Sequence, residues 1–136
     1  MTIAKNERTG VLLANTGTPA SPAPRDVHAY LCKFLMDKRI RPMNKLGWWC
    51  VLHFFILPKR DVTSGEKYAK IWTDDGSPFG VEHEKLLGFL QRELDPTEDN
   101  VRVAVGQSYG APTIRQALEQ LRDAGCTNVV VLPLYP

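Results

Sequence analysis

No stretch of this chain stays apolar for long enough to cross a bilayer. The longest, residues 46–57 (Leu-Gly-Trp-Trp-Cys-Val-Leu-His-Phe-Phe-Ile-Leu), is 12 residues long, where a spanning helix needs about 20. Cysteine is scarce: Cys32, Cys50 and Cys126 are the whole supply, with no C-x-x-C and no His/Cys run at zinc-ligand spacing. That excludes a disulfide scaffold and a zinc module of familiar spacing. The odd cysteine count, with opening residues that lack the apolar core of a secretory leader, leads to the expectation of a reducing cytosol. An excess of one charge is also lacking. Lysine and arginine number 17 against 15 acids, a net of +2, which is no electrostatic footprint for nucleic acid. There is no internal repeat and no low-complexity tract beyond a short Pro/Ala-rich stretch at residues 19–24.

What is present suits one globular domain. With 136 residues, 43% hydrophobic and 24% charged, the chain is long enough to build a core without staples. Residues 10–15 (Gly-Val-Leu-Leu-Ala-Asn) form a short apolar run closed by Gly17, Thr18 and Pro19, the pattern of a strand buried on both faces. Pro24 suits the first turn of a helix, and Val27, Tyr30, Leu31, Phe34 and Leu35 then recur at helical spacing. A second helix is expected over 44–57, ended by Pro58, and a third from 62 to 72. Asp75-Gly76 reads as a turn, with Ser77 as N-cap and Pro78 as the first residue of a helix whose buried stripe is Leu86, Leu87, Leu90 and Leu94. Residues 101–106 (Val-Arg-Val-Ala-Val-Gly) read as a strand. Pro112 is expected to open a helix with Ile114, Ala117, Leu118 and Leu121 on its inner face, stopped by Gly125. Residues 128–134 form the third strand, closed by Pro133.

Strands alternating with helices predict an α/β fold with a parallel sheet and right-handed crossovers. In such sheets ligands bind beyond the carboxyl ends of the strands. The sequence stops at Leu134-Tyr135-Pro136, directly after a strand, so the expectation is a domain truncated after its third strand. A genuine edge strand is the alternative.

Several segments together carry a family resemblance. Residues 10–19 (Gly-Val-Leu-Leu-Ala-Asn-Thr-Gly-Thr-Pro) resemble the first strand and loop of the ferrochelatases, and Asp26 through Ile40 resemble their first helix and the lip that follows. Tyr68 with Gly76-Ser77-Pro78 matches their Y…GGSP segment. Val105 through Pro112, followed by Ile114 through Leu118, carries the family's G-x-x-Y-x-x-P-x-I-x-x-A-L pattern from Gly106 onward. The closing VVLPLYP is similar to a strand the family continues with Gln-Tyr/Phe-Ser. The resemblance implies a Rossmann/chelatase-like parallel sheet flanked by helices. It makes residues 1–136 the amino-terminal domain, about the first two fifths, of a two-domain enzyme whose second domain is absent from this sequence.

The implied chemistry is insertion of ferrous iron into protoporphyrin IX, or coproporphyrin III, in haem biosynthesis, with release of two protons. Iron is the substrate there; no resident cofactor is required, and nothing indicates an iron–sulfur cluster. A base titrating near neutrality suits the proton removal. The resemblance puts that histidine, and an accompanying glutamate, in the second half, so no catalytic residue is expected here. The chain on its own is expected to be inactive.

Position by position, the resemblance puts Thr16 facing the macrocycle, where relatives carry tyrosine or a hydrophobe; as a turn residue before Gly17 it is equally well explained. Tyr30, Leu31, Phe34 and Ile40 match a hydrophobic lip through which some members touch the membrane. Core packing accounts better for Leu31 and Phe34, which leaves Ile40, beside Lys38, Arg39 and Arg41, as the lip candidate. Lys59 and Arg60 match propionate-facing positions, Arg60 being the better carboxylate partner. Ser77 is a propionate ligand or simply a cap. Gln107 and Tyr109, at the end of the second strand, sit where an α/β site belongs, and Tyr109 is the strongest pocket candidate. Trp48, Trp49, Phe54 and Phe55 read as core packing or as a membrane-dipping face. His28, His53 and His83 read as isolated helical histidines without a metal role.

Two rivals stay open. One is a stand-alone homodimeric chelatase; single-domain chelatases carry histidine at the end of the first strand, where this chain has Asn15 and Thr16. The other is a non-enzymatic porphyrin carrier that dimerises through the third-strand edge. The expected partners are a porphyrin, the second domain and peripherally a membrane surface, with no nucleic acid; the expected location is the cytoplasm, with membrane association left open.

Overall fold

The computed structural model describes residues 7–135. The leader reading of the opening six residues, and the closing Pro136, lie outside them. The described residues divide into two compact units, one of residues 7–17 and 79–135, the other of residues 18–78.

The first unit holds the sheet. Strands β1 (Arg8–Asn15), β2 (Val101–Gln107) and β3 (Cys126–Pro133) pair in the order β2-β1-β3, and both pairings are parallel. Successive side chains of β1 point to opposite faces. Leu12 packs with Ala104, Ala117 and Leu121 on one face. Leu13 packs with Val103 and Val105 on the other, against Leu86, Leu87 and Leu90. Helix α4 (Pro78–Leu94) thus supplies one cover and α5 (Ile114–Asp123) the opposite one. Full burial of Leu12, Leu13 and Leu121 contributes about 1.5–3 kcal/mol each. The α/β expectation and all three strands are borne out. Gly106 is required where β2 passes under α5, because a Cβ there would lie 2.8 Å from the Ile114 Cα.

Three details differ from the sequence reading. Helix α5 begins at Ile114, not Pro112, because the Pro112 carbonyl is still engaged by the Gln107 N–H. Thr113 is the N-cap and closes a capping box with Gln116. Leu94 and Leu118 lie exposed at the edges of their stripes. On α4 the buried place belongs to Gln91, which accepts from the Val103 N–H at 2.8 Å and donates to the Asp95 and Val101 carbonyls. A buried amide is tolerated there because both of its ends are satisfied. Asp95 closes the same turn, accepting from the Asn100 and Val101 N–H groups at 2.6 and 2.9 Å and from the Thr97 hydroxyl at 2.8 Å. Those backbone donors hold its carboxyl down at about 2. Strand β3 is the uncovered edge: Val129, Val130, Val131 and Leu132 are all exposed.

The second unit is helical. Helix α1 (Pro24–Leu35) begins at the expected proline, and α2 (Lys45–Val51) is capped by Asn44, whose side chain accepts from the Gly47 N–H. Pro58 does not end the following helix. The chain runs through a π-helical segment (Leu52–Ile56) directly into α3 (Leu57–Ile71), with Pro58 in the first turn. The Leu57 N–H reaches back five residues to Leu52, and that wider turn relieves the clash a proline ring makes with the carbonyl four residues earlier. It also brings Leu52 and Leu57 to one side, where they pack with Val27 and Leu31. Phe54 and Phe55 are left exposed, so the core reading fails for them. It holds in part for Trp48, which is half-buried and donates its indole N–H to the Leu35 carbonyl. The turn at Asp75-Gly76 forms as expected, with Gly76 at positive φ. No described helix is long and apolar enough to cross a membrane.

Candidate functional site

At the carboxyl ends of β1 and β2 the backbone pairing continues past the strands. The Ser108 N–H donates to the Asn15 carbonyl and the Tyr109 N–H to the Thr16 carbonyl, each at 2.9 Å. Two loops are thereby zipped together at the rim where parallel sheets hold ligands. Gly17 makes the tight approach feasible. Its φ of 113° suits glycine, and a Cβ would meet Gln107 Oε1 at 2.6 Å and the Gly110 nitrogen at 2.9 Å. Gln107 is buried and donates to the Ala111 carbonyl, bracing the second loop.

A short polar relay supports the first loop. His83 Nδ1 lies 2.6 Å from the Phe79 carbonyl and must donate to it. In the neutral ring Nε2 then accepts, and it does so from the Asn15 amide at 2.9 Å. Asn15 Oδ1 in turn accepts the Thr16 N–H at 2.7 Å. The Phe79 ring stacks on His83 with centroids 4.1 Å apart. Thr16 is therefore held from both sides of its peptide. The sequence reading missed Asn15 and His83 as site-forming residues. The i, i+4 relation of Phe79 to His83 was visible, but their partnership with Asn15 depends on the fold.

Of the six predicted site residues, Thr16 and Tyr109 come together, both half-buried at this rim. Leu31, Ile40, Arg60 and Ser77 belong to the other unit. Leu31 needs correction as a ligand contact: it is buried among Val27, Leu52 and Leu57, so its side chain is spent on packing. Ile40 is exposed just beyond α1, Arg60 is exposed on α3, and Ser77 is buried immediately before α4. The recessed surfaces along α5, one of about 470 Å³ lined by Ile114, Arg115, Leu118, Glu119 and Arg122, contain none of the six.

The histidines are not isolated. Besides His83, ligand atoms of His28, Cys32 and His53 all lie within 4.8 Å of one another in the helical unit.

A parallel α/β sheet with zipped polar loops at its strand ends defines the open-sheet α/β class, in which ligand sites lie beyond the carboxyl ends of the strands. The ferrochelatase family profile matches residues 8–136. The ferrochelatase of Aliivibrio fischeri is 40% identical over 131 residues, which is 96% of this chain and 39% of that protein. That of Photobacterium profundum is 41% identical over 132 residues, 97% and 39% respectively, and that of Herminiimonas arsenicoxydans is 40% identical over 129 residues, 95% and 35%. This chain belongs to the ferrochelatase family, and it spans about two fifths of the length of the first two of these relatives.

Proposed function

We propose that this chain supplies the amino-terminal wall of a porphyrin cleft in an enzyme that inserts ferrous iron into protoporphyrin IX or coproporphyrin III. The reading rests on family membership, and the observation that supports it is the pairing of Thr16 with Tyr109 at the strand-end rim. Insertion replaces two pyrrole N–H protons with the metal, so the intact enzyme needs a proton acceptor. The family resemblance puts that histidine and its glutamate in the second domain, outside the span this chain matches. The chain therefore binds and orients the macrocycle through Thr16 and Tyr109 and is inactive alone; the family resemblance assigns Arg60 and Ser77, in the helical unit, to propionates. Its partner is the second domain, its metal is a substrate, and it needs no resident cofactor. It works in the cytoplasm, where Ile40, flanked by Lys38 and Arg39, meets a membrane surface peripherally.

Fluorescence of the purified chain mixed with protoporphyrin and zinc tests this, zinc standing in for iron because its porphyrin emits strongly. The expected result is a shift in porphyrin emission that Tyr109→Ala weakens, with no metalloporphyrin formed above a protein-free control. Accelerated insertion would make the chain a complete chelatase and overturn the reading, as would a failure to bind porphyrin. The exposed β3 edge favours a second reading, a dimeric porphyrin carrier, which predicts that porphyrin drives dimerisation in sedimentation velocity.

A further inference from the structure

We propose that His28, Cys32 and His53, all within the helical unit, form a binding site for a zinc-class divalent cation. His28 and Cys32 are one helical turn apart on α1, and the π-helical segment delivers His53 to the same spot. Cys32 Sγ lies 3.4 Å from His28 Nε2 and 3.8 Å from His53 Nε2. A tetrahedral ion with metal–nitrogen bonds of about 2.0 Å and metal–sulfur bonds of about 2.3 Å sets its nitrogen and sulfur ligands about 3.5 Å apart. Both nitrogen–sulfur separations already stand near that value, and the three ligand atoms all lie within 4.8 Å of one another.

The other ring nitrogens make the case stronger. His28 Nδ1 donates to Asp61 Oδ2 at 2.7 Å, and His53 Nδ1 donates to the Trp49 carbonyl at 2.9 Å. Both tautomers are thereby fixed with Nε2 unprotonated in the neutral ring and turned toward the sulfur. Outer partners of this kind, a carboxylate on one histidine and a backbone carbonyl on the other, are how metal-ligating histidines are oriented. Trp49 also stacks on His53 with centroids 4.3 Å apart, which restrains the ring.

Proton counting shows what the cluster lacks. Two Nε2 lone pairs converge on one thiol, which has a single proton to give. One lone pair is left over, and Asp61 Oδ1 is buried without a hydrogen-bond partner among the described residues. A dication satisfies all three donors at once and compensates the Asp61 carboxylate. On binding, the Cys32 S–H bond breaks, its proton leaves to solvent, and a metal–thiolate bond forms, with no change of oxidation state. Two imidazoles and one thiolate favour zinc, or cobalt as its probe, over oxygen-seeking magnesium or calcium. All three residues are half-buried, which leaves a route for the ion and a fourth position for water.

The test is titration of the reduced full chain with cobalt(II), followed by absorption. The expected result is a thiolate-to-cobalt charge-transfer band with intense visible bands of tetrahedral cobalt, saturating at one ion per chain and bleached by zinc. Cys32→Ser removes the charge-transfer band, whereas Cys50→Ser and Cys126→Ser keep it. His53→Gln, a change at a half-exposed position, weakens binding without depending on the core around Cys32. Asp61→Asn weakens it about 10–100-fold, and circular dichroism checks each variant for helix content. Absence of the band in the parent chain overturns the proposal. So does a band that survives Cys32→Ser or follows Cys50 or Cys126, or unchanged affinity in a folded His53→Gln chain.

Discussion

The Asn15 side chain donates to His83 Nε2 across 2.9 Å, and this one bond ties the carboxyl end of β1 to the opening turns of α4. Asn15 is buried, and its oxygen is already committed to the Thr16 N–H. The carboxamide therefore carries constraint from a helix to the loop proposed to face the porphyrin. Asn15→Ala leaves an Nε2 acceptor and a backbone donor without partners, which costs about 1–3 kcal/mol. Urea unfolding should show that loss as a lower midpoint at unchanged slope, and porphyrin affinity should fall with it. Wild-type stability in the variant would mean that water replaces the amide at no cost.

Gly17 separates two ways in which the rim can fail. Alanine there carries the strain of a left-handed backbone and places its Cβ on Gln107 and the Gly110 backbone. The second contact is with main chain, which cannot rotate away, so the zipped loops must part. Gly17→Ala should lose about 1–3 kcal/mol of stability and abolish the porphyrin emission shift. Gly88→Ala is the contrasting substitution: nothing lies within 4 Å of a Cβ there, it sits inside a helix, and it should stabilise the chain by about 0.5–1 kcal/mol.

Acid stability should report on Asp95. Its carboxyl is held down at about 2 from an ordinary 3.8, chiefly by the Asn100 and Val101 N–H groups. A carboxyl lowered in the folded state contributes stability above its unfolded pKa and loses that contribution as pH falls through the folded one. The stability difference between wild type and Asp95→Ala should therefore be level above about pH 5 and shrink steadily toward about pH 2. Urea midpoints measured down that range give the curve directly. A difference that stays constant with pH would show that the hydrogen bonds stabilise the protonated acid equally well.

The sequence made much of this fold readable, because strands buried on both faces announce themselves as short apolar runs. Residues 10–15 and 101–106 needed no context, and Pro24 marked its helix. Thr16 and Tyr109 were each legible as strand-end residues, but that their strands lie side by side came only from the fold. Pro58 misled, because a proline normally stops the preceding helix, and nothing local shows that a π turn will open to receive it. Gln91 displaced Leu94 from the buried stripe since the edge of β2 had polar groups to satisfy, a demand set by tertiary structure. The His28–Cys32 pair stood in plain view at helical spacing. Only the docking of the next helix added His53, and without that third donor a histidine–cysteine pair has no meaning.

The uncovered strand supplies the last prediction. In the parallel register Val131 pairs with Leu12 and Val130 with Val11, so β3 offers apolar side chains to both faces of the sheet. Val130 and Val131 are 56% and 55% exposed, an arrangement that monomers rarely leave open over a whole strand. The chain should therefore self-associate with rising concentration. Replacing Val130 and Val131 with threonine keeps the β-branched shape that strands favour while wetting both faces. Sedimentation velocity should then show the larger species receding, with the sheet intact by circular dichroism. Association that ignores these substitutions would point instead to the exposed Phe54 and Phe55, and Phe54→Ser with Phe55→Ser would then be the pair that disperses it.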